Sequence, residues 1–421
     1  MQTTAPTTFR KEARQLAEEA LGRCVTLAGH SESTTGLTRT YLTKPMKAVH
    51  RDVGDWMREA GMDVRIDAVG NIIGHYPAAR PDAQTVMIGS HLDTVHNAGM
   101  YDGILGVILG IAAVKLLKGM RLPFAVDVVG FSEEEGVRFS APFIGSTAIA
   151  GIFDDALLAR TDSQGRTLAQ AIEDFGLNVK DISKCAYAPK SLLAYLEPHI
   201  EQGPVLEAAN ESLGVVSAIA GQTRMIVNFI GEAGHAGTVP MRSRRDALPA
   251  ACELALYVER YGRCGTDLFA TVGQLNVEPN VSNVIPNHVR LSMDIRHPDD
   301  ETRMTAVTQI LMHASSIAER RRVEFRIDSR SDRSAVAMDD ALSDVLKAAL
   351  RAEDLPASPL VSGAGHDAMI MARIVPTAML FLRCKGGISH HPDESVTVDD
   401  VADAIRATTT FLKTIQPPPK G

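Results

Sequence analysis

Four short apolar runs, each followed at once by residues that can carry charge or bind a cation, constrain this chain more than any other feature. Thr85-Val86-Met87-Ile88 leads into residues 89–110, GSHLDTVHNAGMYDGILGVILG, which carry His91, Asp93 and Asp102. Residues 123–131 lead into Ser132-Glu133-Glu134-Glu135-Gly136, residues 192–196 into a stretch with His199 and Gln202, and residues 377–382 into Gly386-Gly387-Ile388-Ser389-His390-His391-Pro392. Runs this short and this continuously apolar are those of strands buried on both faces, and such strands belong to parallel sheets covered by helices. Helical patterns at 9–27, 46–60, 104–117 and 399–415 supply the cover. The expected fold is α/β, a largely parallel mixed sheet flanked by helices.

In an open α/β sheet the ligand crevice lies beyond the C-terminal ends of the strands. The four runs would therefore bring His91 with Asp102, Glu134 with Glu135, His199, and His390 to one sheet edge. Neutral imidazoles and carboxylates together suit a borderline-soft divalent metal. Taken singly, each has an ordinary reading. A lone His is commonly a surface or hydrogen-bonded residue, Glu133–Glu135 would serve as a solvated loop, and Asp102-Gly103 as a turn before a helix. Their shared placement after buried strands is what points to a metal site.

At 421 residues the chain exceeds one ordinary core. Its character changes near Ser217. Strand patterns at 223–231, 271–277, 289–296 and 323–328, with helical patterns at 246–260 and 300–320, follow a β-α-β-β-α-β order, that of the ferredoxin-like motif. The expected organisation is a catalytic domain in two parts, 1–216 and 330–421, with an inserted ferredoxin-like α+β domain at 217–329. The Pro-rich tail, 416–421, is expected to fray.

Other classes of function find little support. A net charge of −8 gives no general attraction to nucleic acid or anionic membrane. The longest apolar run, 104–114, stops at Lys115 and is too short to span a bilayer. The first residues, MQTTAPTTFRKEARQ, lack the apolar segment of a signal peptide, and the five cysteines are scattered, so a cytoplasmic protein with reduced thiols is expected. There is no G-x-S-x-G elbow, no G-x-G-x-x-G and no G-x-x-x-x-G-K.

SHLDTV…YDGILGV, FSEEEGVRF, HIEQGPVLE, GHAGTVPM and GGISHHPDE, in this order, resemble the N-carbamoyl-amino-acid hydrolase and allantoate amidohydrolase family, part of the dinuclear-metal aminoacylase and carboxypeptidase superfamily. The resemblance runs over residues 88–394. It implies two divalent metal ions per chain, zinc or manganese, with cobalt or nickel equally suited to the ligand types. His91 and His199 would hold one, Glu135 and His390 the other, and Asp102 would bridge them. Asp93 would be the carboxylate that orients His91. Glu134, the first Glu of the Glu-Glu-Gly triplet, would be the general base, in preference to Glu133. Two metals about 3.5–4 Å apart would share and activate one water.

The resemblance also makes the inserted domain a lid and dimerisation domain. His235 would reach a neighbouring protomer's site as oxyanion stabiliser, and Asn283 and Arg296 would hold the substrate carboxylate across the same homodimer interface. Without the resemblance, Arg296 serves equally as half of a strand salt bridge and Asn283 as a turn residue. Gln202 would line the pocket. His366 would border the substrate from a Gly-rich loop in which the N–H groups of Gly363 and Ala364 could receive a carboxylate.

The chain departs from the family pattern at three places. His96 stands where Pro is common, with its side chain expected in solvent, and Asn97-Ala98-Gly99 replaces a Gly-Gly pair before Asp102. His391 follows His390 and is its rival as ligand.

The expected activity is hydrolysis of a linear ureido C–N bond of a small carboxylate substrate, with release of ammonia and carbon dioxide. Allantoate is the first choice, with N-carbamoyl-L-amino acids or N-carbamoyl-β-alanine as alternatives. N-acyl amino acids or dipeptides are more distant. A metal-free binding protein of the same fold is the contrasting class, and the intact ligand set speaks against it.

Overall fold

The computed structural model describes residues 7–188 and 190–417. Most of the tail expected to fray, 418–421, lies outside the described residues. Among the described residues the strands, numbered in chain order, are β1 Asp63–Ile66, β2 Ile72–Tyr76, β3 Thr85–His91, β4 Ala125–Phe131, β5 Leu192–Ile200, β6 Leu213–Ile219, β7 Gly221–Ile230, β8 Phe269–Glu278, β9 His288–His297, β10 Glu324–Arg333, β11 Val336–Ala337, β12 Ser358–Ser362 and β13 Thr377–Leu382. The chain divides into two compact units. The first comprises residues up to Ser217, Met338–Leu360, and residues from Gly365 on; the second is Ala218–Ala337 with Val361–Ala364.

The large sheet runs in the order β1-β2-β4-β3-β5-β13-β6-β11, with β12 also on β6. Its centre, β4-β3-β5-β13, is parallel, and it is flanked by antiparallel pairs. β4 and β13 are buried at every residue, as continuous apolar runs require. Asp127 interrupts β4, but its carboxylate is satisfied by His75 Nδ1 at 2.6 Å and by the Tyr187 hydroxyl. The helix Ile104–Leu116 is buried on every side except at Lys115. A helix apolar all round belongs in the core, and this one shares a core with Thr7–Ala28 and Val398–Thr414.

β5 extends four residues beyond its expected end and includes Pro198 and His199. Proline lacks a ladder N–H and reads as a strand terminator. Here β3 pairs with β5 only as far as Leu196, while β13 stays paired to Ile200, so Pro198 has a strand on one side only. His199 is thus held rigidly on the strand itself.

In the second unit, β7, β8, β9 and β10 form an antiparallel sheet in the order β10-β7-β9-β8. With the helices Ala247–Cys264 and Asp300–Arg321 they make a ferredoxin-like β-α-β-β-α-β array. Alternate residues of β7 and β9, among them Val227, Phe229, Leu291 and Ile295, pack against Leu254, Ile310 and Ile317 of the helices. The expected boundary at 329 falls inside β10. A bulge between Ile327 and Ser329 breaks the sequence alternation there, yet the strand continues along β7 to Arg333.

Candidate metal centre

Parallel register sets the site. His91 closes β3 opposite Phe131 of β4, and His199 lies opposite Phe381 of β13. His91 Nδ1 is 3.0 Å from the Asp93 carbonyl oxygen, and His199 Nδ1 is 2.8 Å from that of Ile200. A carbonyl only accepts, so each Nδ1 carries a proton, and Nε2 is the ring atom left to bind a cation once it gives up any proton of its own. The two Nε2 atoms lie 3.5 Å apart. Asp102 Oδ1 is 3.2 Å from that of His199 and 3.7 Å from that of His91. This oxygen is buried and has no hydrogen-bond partner among the described residues. Two ring nitrogens and an unsatisfied carboxylate oxygen converging away from water are what a cation would satisfy.

The remaining donors adjoin them. Glu134 Oε2 is 4.0 Å from His91 Nε2. His390 Nε2 lies 3.2 Å from Asp102 Oδ2 and 3.4 Å from Glu135 Oε1. Three overlapping groups result, His91-Asp102-His199, His91-Glu134-Glu135 and Asp102-Glu135-His390. Gly103, at φ +70°, makes room for them, since a Cβ there would meet the His91 ring at 2.4 Å.

Electrostatics point the same way. Burial opposes charge on Asp102, but the imidazoles of His199, His390 and His91 outweigh it and hold its carboxyl well below the usual range. Contacts with Asp102 and Glu135 push His390 up to about 10. Burial pushes Glu134 well above the usual carboxylate range; His91 pulls it back, and Glu135 and Asp367 add to the rise. The site's negative field calls for positive charge, whether protons or metal.

Some of the other expected residues take places that differ from the reading of the sequence. The Asp93 carboxylate stands 3.9 Å from His91 Nδ1, beyond hydrogen-bond reach. It accepts the backbone N–H of Glu134 and of Glu135, each at 3.1 Å, and leaves His91 to its own carbonyl. Gln202 donates to Asp102 Oδ2 at 2.9 Å and to Ser389 at 3.1 Å, and Ser389 donates to the same Asp102 oxygen at 2.6 Å. Glu133 accepts the N–H of Arg138 and Phe139 behind the site, which leaves Glu134 and Glu135 as the carboxylates of that run grouped with His91. His391 is exposed and paired with Asp393, and His96 is exposed. His366 is buried with its ring centroid 4.5 Å from that of His199.

His235, Asn283, Arg296, Gly363 and Ala364 belong to the second unit. His235 and Asn283 are exposed and adjacent, the Ala236 N–H donating to the Asn283 carbonyl at 2.9 Å. His235 Nδ1 accepts the Gly237 N–H at 3.0 Å, so the neutral ring offers Nε2–H as a donor. The Arg296 fork is engaged by Asp294 at 2.8 and 2.9 Å and by the Gly363 carbonyl. The Ala364 N–H, expected to receive a carboxylate, donates instead to Ser362 Oγ at 3.2 Å, because a serine two residues back closes a local turn.

Ser389 and Glu394 are site residues that the strand-end reading missed. Both lie within GGISHHPDE, yet nothing local marks them, because their partners lie near residue 102.

The sequence pattern of peptidase family M20/M25/M40 matches residues 87–414. The chain belongs to this family. It is 38% identical to allantoate deiminase 2 of Glycine max over 435 residues, which cover 95% of this chain and 90% of that protein. It is 37% identical to an N-carbamoyl-L-amino acid amidohydrolase of Geobacillus stearothermophilus over 369 residues, 87% of this chain and 90% of that protein. An amidase of the hydantoinase/carbamoylase family from Burkholderia multivorans superposes with a TM-score of 0.89 at 32% identity, covering 96% of this chain and 98% of that one. This M20 chain is therefore a hydrolase of the amidohydrolase type, with a His and carboxylate cluster fit for metal.

Proposed function

We propose that this chain hydrolyses the ureido C–N bond of an N-carbamoyl acid, with allantoate as the substrate. The observation that carries the hydrolytic reading is the unsatisfied Asp102 Oδ1 facing the Nε2 atoms of His91 and His199, with His390 and Glu135 on its other side. His91 and His199 would hold one divalent ion, Glu135 and His390 a second, and Asp102 both. Bound there, the ions would polarise the carbamoyl group and lower the pKa of water toward ~7.

The chain's own residues do the rest. Glu134, buried beside His91 and pinned through its backbone by Asp93, takes a proton from the attacking water and returns it to the leaving nitrogen. The C–N bond to the substrate breaks, an amine leaves, and the released carbamate decomposes to ammonia and carbon dioxide. His235, with Nε2–H available, stabilises the oxyanion, an effect worth roughly 3–4 kcal/mol in comparable sites. Asn283 and Arg296 receive the substrate carboxylate, Arg296 exchanging its bond to Asp294 for a bidentate pair. The second unit acts as lid and dimerisation domain, and His235, Asn283 and Arg296 serve a neighbouring protomer of a homodimer.

The allantoate choice follows the likeness to allantoate deiminase 2 and the SHLDTV-x-N-A-G-x-Y-D-G form. The likeness to an N-carbamoyl-L-amino acid amidohydrolase supports N-carbamoyl-L-amino acids as the second reading. Ammonia release by the manganese-loaded protein decides between them, with allantoate, several N-carbamoyl-L-amino acids and N-carbamoyl-β-alanine side by side. Release from allantoate foremost, abolished by chelator, is the expected result. Release from none of them would remove the carbamoyl assignment.

A further inference from the structure

We propose that Glu394 is a positioning residue for the metal centre, fixing the backbone of Asp102 from the far end of the chain. The proposal rests on the reading of the cluster as a metal centre. Asp102 lies between the end of β3 and the helix Ile104–Leu116, in a stretch with no strand or helix of its own. Its backbone would otherwise lack the ladder that fixes His91 and His199. Glu394 is 3% exposed, and its Oε1 accepts the N–H of Tyr101 at 2.7 Å and of Asp102 at 3.0 Å. Two N–H groups on one buried carboxylate oxygen replace the missing ladder at the residue whose side chain faces three imidazoles.

The geometry links both ends of the ligand set. Glu394 sits in the loop that carries His390, and its own N–H donates to the His391 carbonyl at 3.1 Å. Through Glu394 this loop grips the Asp102 backbone, while His390 meets the Asp102 carboxylate. Gly99 opens the path: a Cβ there would lie 2.4 Å from Glu394 Cβ and Cδ. A buried carboxylate is costly unless hydrogen-bonded, so packing alone would favour an apolar residue at this position.

The test is Mn2+ titration of the full chain, with free Mn2+ read by electron paramagnetic resonance. Parent, Glu394→Ala, Glu394→Gln and Gly99→Ala proteins are compared, and the thermal midpoint of each metal-free chain reports its folding. Glu394→Ala should weaken Mn2+ binding about 10- to 100-fold, the scale for groups that orient ligands. Glu394→Gln keeps an oxygen acceptor for both N–H groups and should bind within about threefold of the parent. Gly99→Ala should weaken binding with Glu394 still present, and it keeps the test open if Glu394→Ala fails to fold. Unchanged affinity in Glu394→Ala or in Gly99→Ala overturns the proposal. A parent chain that binds no Mn2+ overturns instead the metal-centre reading beneath it.

Discussion

In the first unit, six metal-competent side chains gather at a sheet edge, and buried carboxylates clamp the loops that carry them. Asp93 holds the N–H groups of Glu134 and Glu135, Glu133 those of Arg138 and Phe139, and Glu394 those of Tyr101 and Asp102. In the second unit, His235 and Asn283 stand exposed on loops joined by a backbone bridge between His235 and Val284. Groups that must face one another as like charges need a scaffold that prevents them from turning away. Groups that meet only an arriving substrate can remain in water until it comes. The first unit is built to hold; in the proposed function the second receives.

The largest expected effect tests the holding side. Glu134→Ala should lower kcat by about 10²- to 10⁴-fold, the usual contribution of a positioned acid-base group, and leave the metal content unchanged. Loss of metal together with activity would make Glu134 a ligand. The next tests the receiving side. His235→Ala should lower kcat by about 10²- to 10³-fold with metal content intact. Mixing inactive His235→Ala and Glu134→Ala protomers should recover activity if His235 serves its neighbour, and no recovery would confine it to its own chain.

A third prediction concerns how the first unit tolerates acid. His50 is 5% exposed, and burial, reinforced by Arg39, lowers its pKa to about 4 from 6.5. The unfolded chain therefore binds the extra proton between these values. The stability that neutral His50 contributes is fully present above pH 6.5 and is lost as pH falls toward 4, about 3 kcal/mol in all. Urea unfolding of parent and His50→Gln chains between pH 7 and 4 would check this, and the variant should show the shallower decline. The smallest effect sharpens the ligand choice. His391→Ala should change Mn2+ affinity by about twofold or less, as for an exposed substitution, whereas His390→Ala should abolish the second ion.

How much was legible in the sequence follows the same division. Continuous apolar runs marked β3, β4, the start of β5 and β13, and strand patterns within a β-α-β-β-α-β order marked β7 and β9. β6 and β12 went unread, because LGVVSAI carries Gly214 and Ser217 in a short run and SPLVS is brief and begins Ser-Pro. The metal-competent residues were legible because the rule that ligands lie beyond strand ends needs only sequence order. The hydrogen bonds that orient them were not. The resemblance gave Asp93 the orienting of His91, but its hydrogen-bond partners are the N–H groups of Glu134 and Glu135. Glu394 and Ser389 act on Asp102 across 292 and 287 residues of sequence, and no local pattern encodes those pairings.

The proposed function stands on the buried cluster around Asp102 holding two metal ions. Its most direct test is a count of ions. The metal-free chain would be equilibrated with Mn2+, dialysed, and its bound metal measured by mass spectrometry beside an Asp102→Ala chain. Two ions per parent chain, with both sites weakened when Asp102 is removed, is the predicted result. A parent chain that retains none, or an Asp102→Ala chain that still retains two, would contradict it.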